Sequence, residues 1–222
     1  MHAGGIDFFD VDHTVTRGST ARHYVVLGVR IGLFPRRNLL TIPLFYMQYR
    51  YGTMTGNKPF QRDFPGLEGT PRNYLEQVAL RCFEEKLRPD VYREAIDLIR
   101  SRQSEGRRVV FATSSIDIIV EPLAKWLGVE LIASSLEFVN DRCTGRFRGP
   151  PVFRAEKKRR VLQLIGESSF EPDDCSFSSD SIHDLPLLEV VGRPVAVNPD
   201  RRLKKIARQR RWPILRLEGR NS

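Results

Sequence analysis

Cysteine is scarce in this 222-residue chain: Cys82, Cys143 and Cys175 are its only thiols, and no two share a CxxC spacing. An odd number of scattered cysteines excludes a disulfide framework or a thiolate metal centre as the organising feature, and a reducing cytoplasm is the expected setting. Long apolar runs are missing as well. The longest, "LLTIPLFYM" from 39 to 47, falls well short of the roughly 20 residues needed to cross a bilayer. The opening "MHAGGIDFF" has no basic segment and Asp7 interrupts its apolar residues, so neither a signal peptide nor a transmembrane helix is expected. Low-complexity tracts and internal repeats are absent, which excludes a solenoid or a long disordered region. Acidic charge is in deficit, with 27 Asp and Glu against 36 Lys and Arg, a net charge of +9.

What is there is an ordinary globular composition, 41% apolar and 28% charged, on a length that suits one core or one domain carrying a smaller insertion. The surplus of cations is local. Arg201, Arg202, Lys204, Lys205, Arg208, Arg210 and Arg211 all lie in "PDRRLKKIARQRRW", and removing those seven from +9 leaves +2 for the rest of the chain. The spacing predicts a helix capped by Asp200, with Leu203, Ile206 and Ala207 inward and the cations on a solvated face. Contact with an anionic membrane or with nucleic acid is the sharper alternative for the same helix.

Along the chain, "GGIDFFDVD" reads as a short buried strand followed by turn chemistry. From about 18 to 88, "ARHYVVLGVRIG", "RRNLLTIPLFYMQYRYG" and "RNYLEQVALRCFEEKL" predict helices interrupted by Pro35, Pro43, Pro65 and Gly66. "RPDVYREAIDLIRSRQSEG" then predicts one helix opening at Pro89, striped by Val91, Ala95, Leu98 and Ile99 and closed by Gly106. Strands at "RRVVFA", "ELIAS", "CSFSS", "PVAVN" and "WPILRL" alternate with helices near "VEPLAKWLG", "AEKKRRVLQLIG", "DLPLLEVV" and the basic segment, and a hairpin spans "LEFVNDRCTGRFRG". Such alternation predicts an α/β fold: a doubly wound parallel sheet, with residues 1–17 and 89–222 as a Rossmann-like core and 18–88 as a helical cap inserted after the first strand. Ligands of these sheets bind at the carboxyl ends of the strands.

Four segments carry chemistry. "FFDVDHTVT" sets Asp10 and Asp12 two residues apart, so that in extended backbone both project to one side. Paired carboxylates repel unless a cation lies between them, and a hard oxygen-seeking ion such as magnesium suits that arrangement together with a substrate phosphate. "VVFATSS" delivers Thr113 and Ser114, whose hydroxyl and backbone N–H groups suit anionic oxygens. "AEKKRR" offers Lys157 and Lys158, either of which would neutralise charge on a transferring phosphoryl group. "CSFSSDSIHDLPLL" adds Asp180 and Asp184, two more carboxylates for a metal and its surroundings. Each segment alone has an ordinary reading as a surface turn, strand end, charged first turn or helix cap.

In this order and wording the segments resemble the haloacid dehalogenase superfamily, in its phosphoserine phosphatase-like branch (subfamily IB), and the resemblance spans nearly the whole chain. It implies a magnesium-dependent phosphomonoester hydrolase that works through an aspartyl phosphate on a small phosphorylated metabolite. By that resemblance Asp10 is the nucleophile and Asp12 first the acid, then the base. Mg2+ would be held by the Asp10 side chain, the Asp12 carbonyl and Asp180, with Asp184 ordering its shell. Thr113, the Ser114 N–H and a lysine would bind the other phosphoryl oxygens. Counting back from Leu162 favours Lys158 over Lys157 as that lysine.

The chain departs from phosphoserine phosphatases at three places. Ser19 stands where they place an acidic residue suited to the substrate's amino group, Arg62 is the single candidate for the cap arginine that meets the substrate carboxylate, and two serines follow Thr113 in place of two glycines. Phosphoserine therefore fits poorly as the substrate. His13 and His183, inside the first and last motifs, read either as contacts to the leaving group or as tolerated loop residues. The stretch 27–52 reads as the core and rim of a helical cap or as a surface for anionic lipid, which makes a membrane-surface phosphatase of a lipid phosphate the alternative. A catalytically silent nucleic-acid-binding protein using the basic helix is a third reading, opposed by the intact carboxylate set.

Overall fold

A computed structural model describes residues 4–36 and 66–218. Strand β1, Ile6–Phe9, is buried along its whole length, and its alternation explains why. Ile6 and Phe8 join one hydrophobic cluster, Phe9 and Val11 another, so the strand is apolar on both faces and must be covered on both. Strands β2 (Arg108–Ile116), β3 (Glu130–Ser134), β6 (Ser176–Ser179), β7 (Arg193–Val197) and β8 (Ile214–Leu215) complete a parallel sheet in the order β3-β2-β1-β6-β7-β8. A separate antiparallel hairpin pairs β4 (Leu136–Val139) with β5 (Arg142–Phe147), turning through Asn140 and Asp141, both at positive φ.

Helices cover both faces, as expected of a doubly wound sheet. Between β1 and β2 come α1 (Thr20–Arg30) and α2 (Arg72–Cys82), the latter running on as a wider helical turn over Phe83–Leu87. After them α3 (Arg93–Ser104) and α4 (Asp117–Leu127) pack Ala95, Ile99, Ile119 and Leu123 against Phe9, Val109 and Phe111. On the opposite face α5 (Ala155–Gly166), the short α6 (Leu185–Leu188) and α7 (Arg201–Gln209) pack Val161, Ile165, Leu187, Leu203 and Ala207 against Ile6, Phe8, Val110 and Phe177. Tyr24, Leu27, Leu75 and Val78 of α1 and α2 join the first of these clusters, so the helical insertion shares a core with that face of the sheet. The expected helix around 36–52 and the candidate Arg62 lie outside the described residues.

Two elements differ from expectation. The helix predicted from Pro89 is broken: Arg88–Asp90 form a single turn, Val91 is extended at φ −71 and ψ 134, and α3 starts only at Arg93. The backbone of 90–92 is used elsewhere. Arg17 N–H donates to Asp90 O at 2.9 Å and Tyr92 N–H to Val15 O at 3.0 Å, so the two chain crossings into and out of the insertion pair with each other. The strand predicted across "WPILRL" shrinks to Ile214–Leu215 at the sheet edge. The basic segment forms the expected helix, with the Asp200 carboxylate accepting from the Arg202 and Leu203 N–H groups. Among the described residues no helix is long and apolar enough to cross a membrane. All three cysteines are free and buried.

Candidate active site

Strand order places the site. Consecutive connections leave β1 in opposite directions, towards β2 on one side and β6 on the other, which opens a crevice beyond their carboxyl ends. Register pairs Phe9 with Phe111 of β2 and with Ser178 of β6, so Asp10, Thr113 and Asp180 emerge side by side, one or two residues past that row. The Asp10 N–H still donates to Ser178 O at 2.9 Å, which fixes the last ordered position before the chain turns.

The turn after Asp10 is wound around one carbonyl: the N–H groups of Thr14, Val15 and Thr16 all donate to Val11 O, at 3.2, 2.9 and 3.0 Å. His13 takes the left-handed conformation that this reversal requires, φ 60, and its Nδ1 donates to Arg17 O at 2.9 Å. Thr14, 1% exposed, accepts from the Asp180 N–H at 3.0 Å and so ties the first acidic segment to the last. Asp12 is half-buried and held at both oxygens, Oδ1 by the Thr20 N–H at 2.9 Å and Oδ2 by Ser19 Oγ at 3.2 Å. Ser19 also caps α1. Thr20 Oγ1 in turn bonds Ser115 Oγ at 2.8 Å, linking the start of α1 to the end of β2.

The structure sets Lys157 against the carboxylates, not Lys158, the residue favoured from the sequence. Lys157 is 1% exposed and its Nζ donates to Asp10 Oδ1 at 3.0 Å and to Asp184 at 2.9 and 3.0 Å, whereas Lys158 is half-buried on a neighbouring face of α5. Only the first position lies on the stripe that includes Val161 and Ile165 and so faces the sheet. Asp184 is spoken for: besides Lys157 it accepts from Ser179 Oγ at 2.7 Å, so its carboxylate anchors the ammonium. Burial would lower the Lys157 pKa, but the charges of Asp10 and Asp184 outweigh it and hold the group protonated. Burial pushes the Asp10 carboxyl up to about 7, against the pull of Lys157, with Asp184 and Asp12 adding to the rise.

In the last residues of β2, Thr113 is 1% exposed and its Oγ1 accepts from the Ser115 N–H at 3.1 Å. Among the described residues Ser114 Oγ is buried without a hydrogen-bond partner, while its carbonyl accepts from Ser134 Oγ at 3.3 Å. His183 sits in the turn Ile182–Asp184, where its Nδ1 accepts from Arg154 Nη2 at 3.0 Å. Among the described residues no three His, Cys, Asp or Glu side chains converge as a metal cage. Asp10 and Asp184 bond Lys157, Asp180 is tied to the first acidic segment through Thr14, and Asp12 is held by Ser19 and Thr20. Sequence reasoning missed the hydroxyl partners Ser19, Thr20 and Ser179; the only signal was a hydroxyl pair preceding a helix.

Comparison with known proteins decides the family. A model of the haloacid dehalogenase-like hydrolases matches residues 8–189, which includes every residue of this constellation. The chain belongs to that family. It is 30% identical over 213 residues to the histidinol-phosphatase of Neisseria meningitidis, covering 93% of this chain and 96% of the relative. A protein of unknown function from Bordetella pertussis superposes with a TM-score of 0.85 at 28% identity, over 96% of this chain and 98% of that one. A phosphoserine phosphatase solved as a phospho-aspartyl intermediate analogue superposes at 0.73 over 98% and 95%, and at 17% identity that likeness concerns the fold. The haloacid dehalogenase-like fold, the hydrolase class and the phosphatase type expected from the sequence all hold.

Proposed function

We propose that this phosphatase is a magnesium-dependent phosphomonoester hydrolase that forms an aspartyl phosphate at Asp10 and acts on a small phosphorylated metabolite. The observation that carries the reading is Lys157, buried, bonded at once to Asp10 and Asp184 beside the topological switch of the sheet. A buried ammonium at 3.0 Å from the attacking carboxylate is placed to hold an oxygen of the phosphoryl group that carboxylate attacks. Asp10 Oδ attacks phosphorus, and Asp12 gives its proton to the departing alkoxide. Asp12 then takes a proton from the water that opens the acyl phosphate. Ser19 Oγ and the Thr20 N–H orient Asp12 for both transfers. The Thr113 hydroxyl and Ser114 N–H are assigned to the other phosphoryl oxygens.

The donor set fits magnesium. Four carboxylates, Asp10, Asp12, Asp180 and Asp184, are assigned to the region of Lys157; burial is the main cause of the raised pKa of Asp10, and the charges of Asp184 and Asp12 add to it. All donors are oxygen, and magnesium keeps several waters, so two carboxylates and the Asp12 carbonyl suffice without a closed cage. When bound, the ion would neutralise charge shared between Asp10, Asp180 and the phosphoryl oxygens. Residues 18–88 are assigned as the cap that excludes water from the crevice. Three buried free thiols accord with a reducing cytoplasm.

The test is phosphate release from sugar, amino-acid, nucleotide and lipid monoesters, with magnesium and with EDTA. Turnover that EDTA stops and magnesium restores, and that Asp10→Asn abolishes without unfolding the chain, is the expected result. Activity indifferent to chelation, or full activity in Asp10→Asn, would contradict the assignment.

A further inference from the structure

Arg154 has no acidic partner among the described residues. Among the described residues its guanidinium makes one hydrogen bond, Nη2 donating to His183 Nδ1 at 3.0 Å, and lies over the Phe153 ring at 5.0 Å from the centroid. The neighbouring arginines of α5 behave otherwise: Arg159 and Arg160 both pair with Glu156, at 2.7 and 2.9 Å. A guanidinium carries five N–H donors in a planar fork, so most of the recognition capacity of Arg154 is uncommitted.

Its position is held from three sides. Arg154 is the residue before α5, with φ 47 and ψ −112, a conformation that suits glycine and costs any other residue strain. Phe153 is 7% exposed and packs its ring 5.6 Å from that of His183, so the imidazole that accepts from Arg154 is itself buttressed. Arg154 and Lys157 are three residues apart, one helical turn, and their cationic ends reach consecutive residues of one short turn, His183 and Asp184. Lys157 continues from Asp184 to the attacking carboxylate of Asp10. The guanidinium is thus held on the residue adjacent to the Asp184 that anchors Lys157.

We propose that Arg154 determines substrate specificity by receiving the carboxylate of a phosphorylated hydroxy acid while Lys157 meets its phosphoryl group. The fork geometry favours a carboxylate over a neutral hydroxyl through two parallel charge-assisted hydrogen bonds. Ser19, whose hydroxyl is committed to Asp12, is itself neutral, so the preference is assigned to the carboxylate and the substrate class to the phosphorylated hydroxy acids. This inference rests on the phosphatase reading above and assigns the leaving-group side of that site.

Matched esters test it: 3-phosphoglycerate against glycerol 3-phosphate, and O-phosphoserine against O-phosphoethanolamine, each pair differing at the carboxylate, with p-nitrophenyl phosphate as a generic ester. The wild-type chain should prefer the carboxylate-bearing member of each pair by about tenfold or more in kcat/KM. Arg154→Gln should collapse that ratio, chiefly through KM, and Arg154→Lys should restore part of it, because a point charge replaces the fork. Arg154→Gly suits the backbone at φ 47 and gives a folded variant lacking the guanidinium should the Gln variant fail to fold. A wild-type ratio near one, or an equal loss on both members of each pair in the variants, would overturn the inference while leaving the phosphatase reading in place if p-nitrophenyl phosphate is still hydrolysed. No release from any ester would overturn both.

Discussion

Lys157→Ala set against Lys158→Ala is the sharpest test of the site, because the two lysines are adjacent and only one is buried on the carboxylates. At 3.0 Å each contact of Lys157 with Asp10 and Asp184 has a gross Coulomb energy of about 5–6 kcal/mol at an effective dielectric of about 20. Burying the ions offsets much of that, and breaking such a pair by removing one partner costs about 3–5 kcal/mol, because Asp10 and Asp184 are left facing each other without a counter-charge. For a chain of this size that corresponds to a fall of roughly 6–20 °C in Tm. Removing a preorganised charge from beside the reacting phosphoryl should lower kcat by about 10²–10³. Lys157→Met, which keeps the aliphatic stem, should show the same loss of turnover with a smaller loss of stability. Lys158→Ala removes a half-buried cation from another face of α5 and should stay within about 0.5 kcal/mol and threefold in turnover. Thermal unfolding and phosphate release read both quantities. Equal effects in the two variants, or a Lys157→Ala enzyme that turns over at nearly the wild-type rate, would refute the reasoning.

Two further outcomes are expected. The folded-state pKa of Asp10, about 7, lies above its ordinary value of 3.8, so the folded chain holds an extra proton between those limits; the stability from this group is full below about pH 4 and lost as pH rises through 7. In EDTA, Tm should therefore fall between about pH 5 and pH 7.5, and magnesium should raise it more at the higher pH, where it no longer competes with a proton for Asp10; a larger magnesium effect at the lower pH would count against this. At the far end of the sheet, Arg107 donates twice to Asp7, which is 2% exposed and also accepts from Ser176 Oγ. Arg107→Ala should cost about 3–5 kcal/mol in urea unfolding without touching the site, and a loss under about 1 kcal/mol would show the pair to be dispensable.

Much of this protein was legible in local pattern. Two-faced apolar strands alternating with one-faced helices announce a covered parallel sheet, because each strand must bury both faces and each helix only one. Asp10 and Asp180 stand out because each directly follows a buried strand, and Thr113 because it ends the apolar run of β2, where polarity has no packing reason; Asp184 follows four residues on, in the turn Ile182–Asp184. Asp200 as a helix cap and the hairpin across "LEFVNDRCTGRFRG" are equally local. In contrast, the break before α3 was invisible: "RPDVYREA" is a good helix by propensity, and only the crossing segment 15–17, more than 70 residues earlier, withdraws Asp90 and Tyr92 from it.

Which residue types stand at the strand ends, and in what order, follows from periodicity and from neighbours along the chain. Tertiary structure alone decided which of two adjacent lysines is buried, that Ser19 and Thr20 hold Asp12, and that Arg154 shares a turn with Lys157. Each depends on the rotation of a helix about its axis or on a meeting of distant segments. One residue of register turns a helical side chain through about 100°, enough to exchange the carboxylates for solvent.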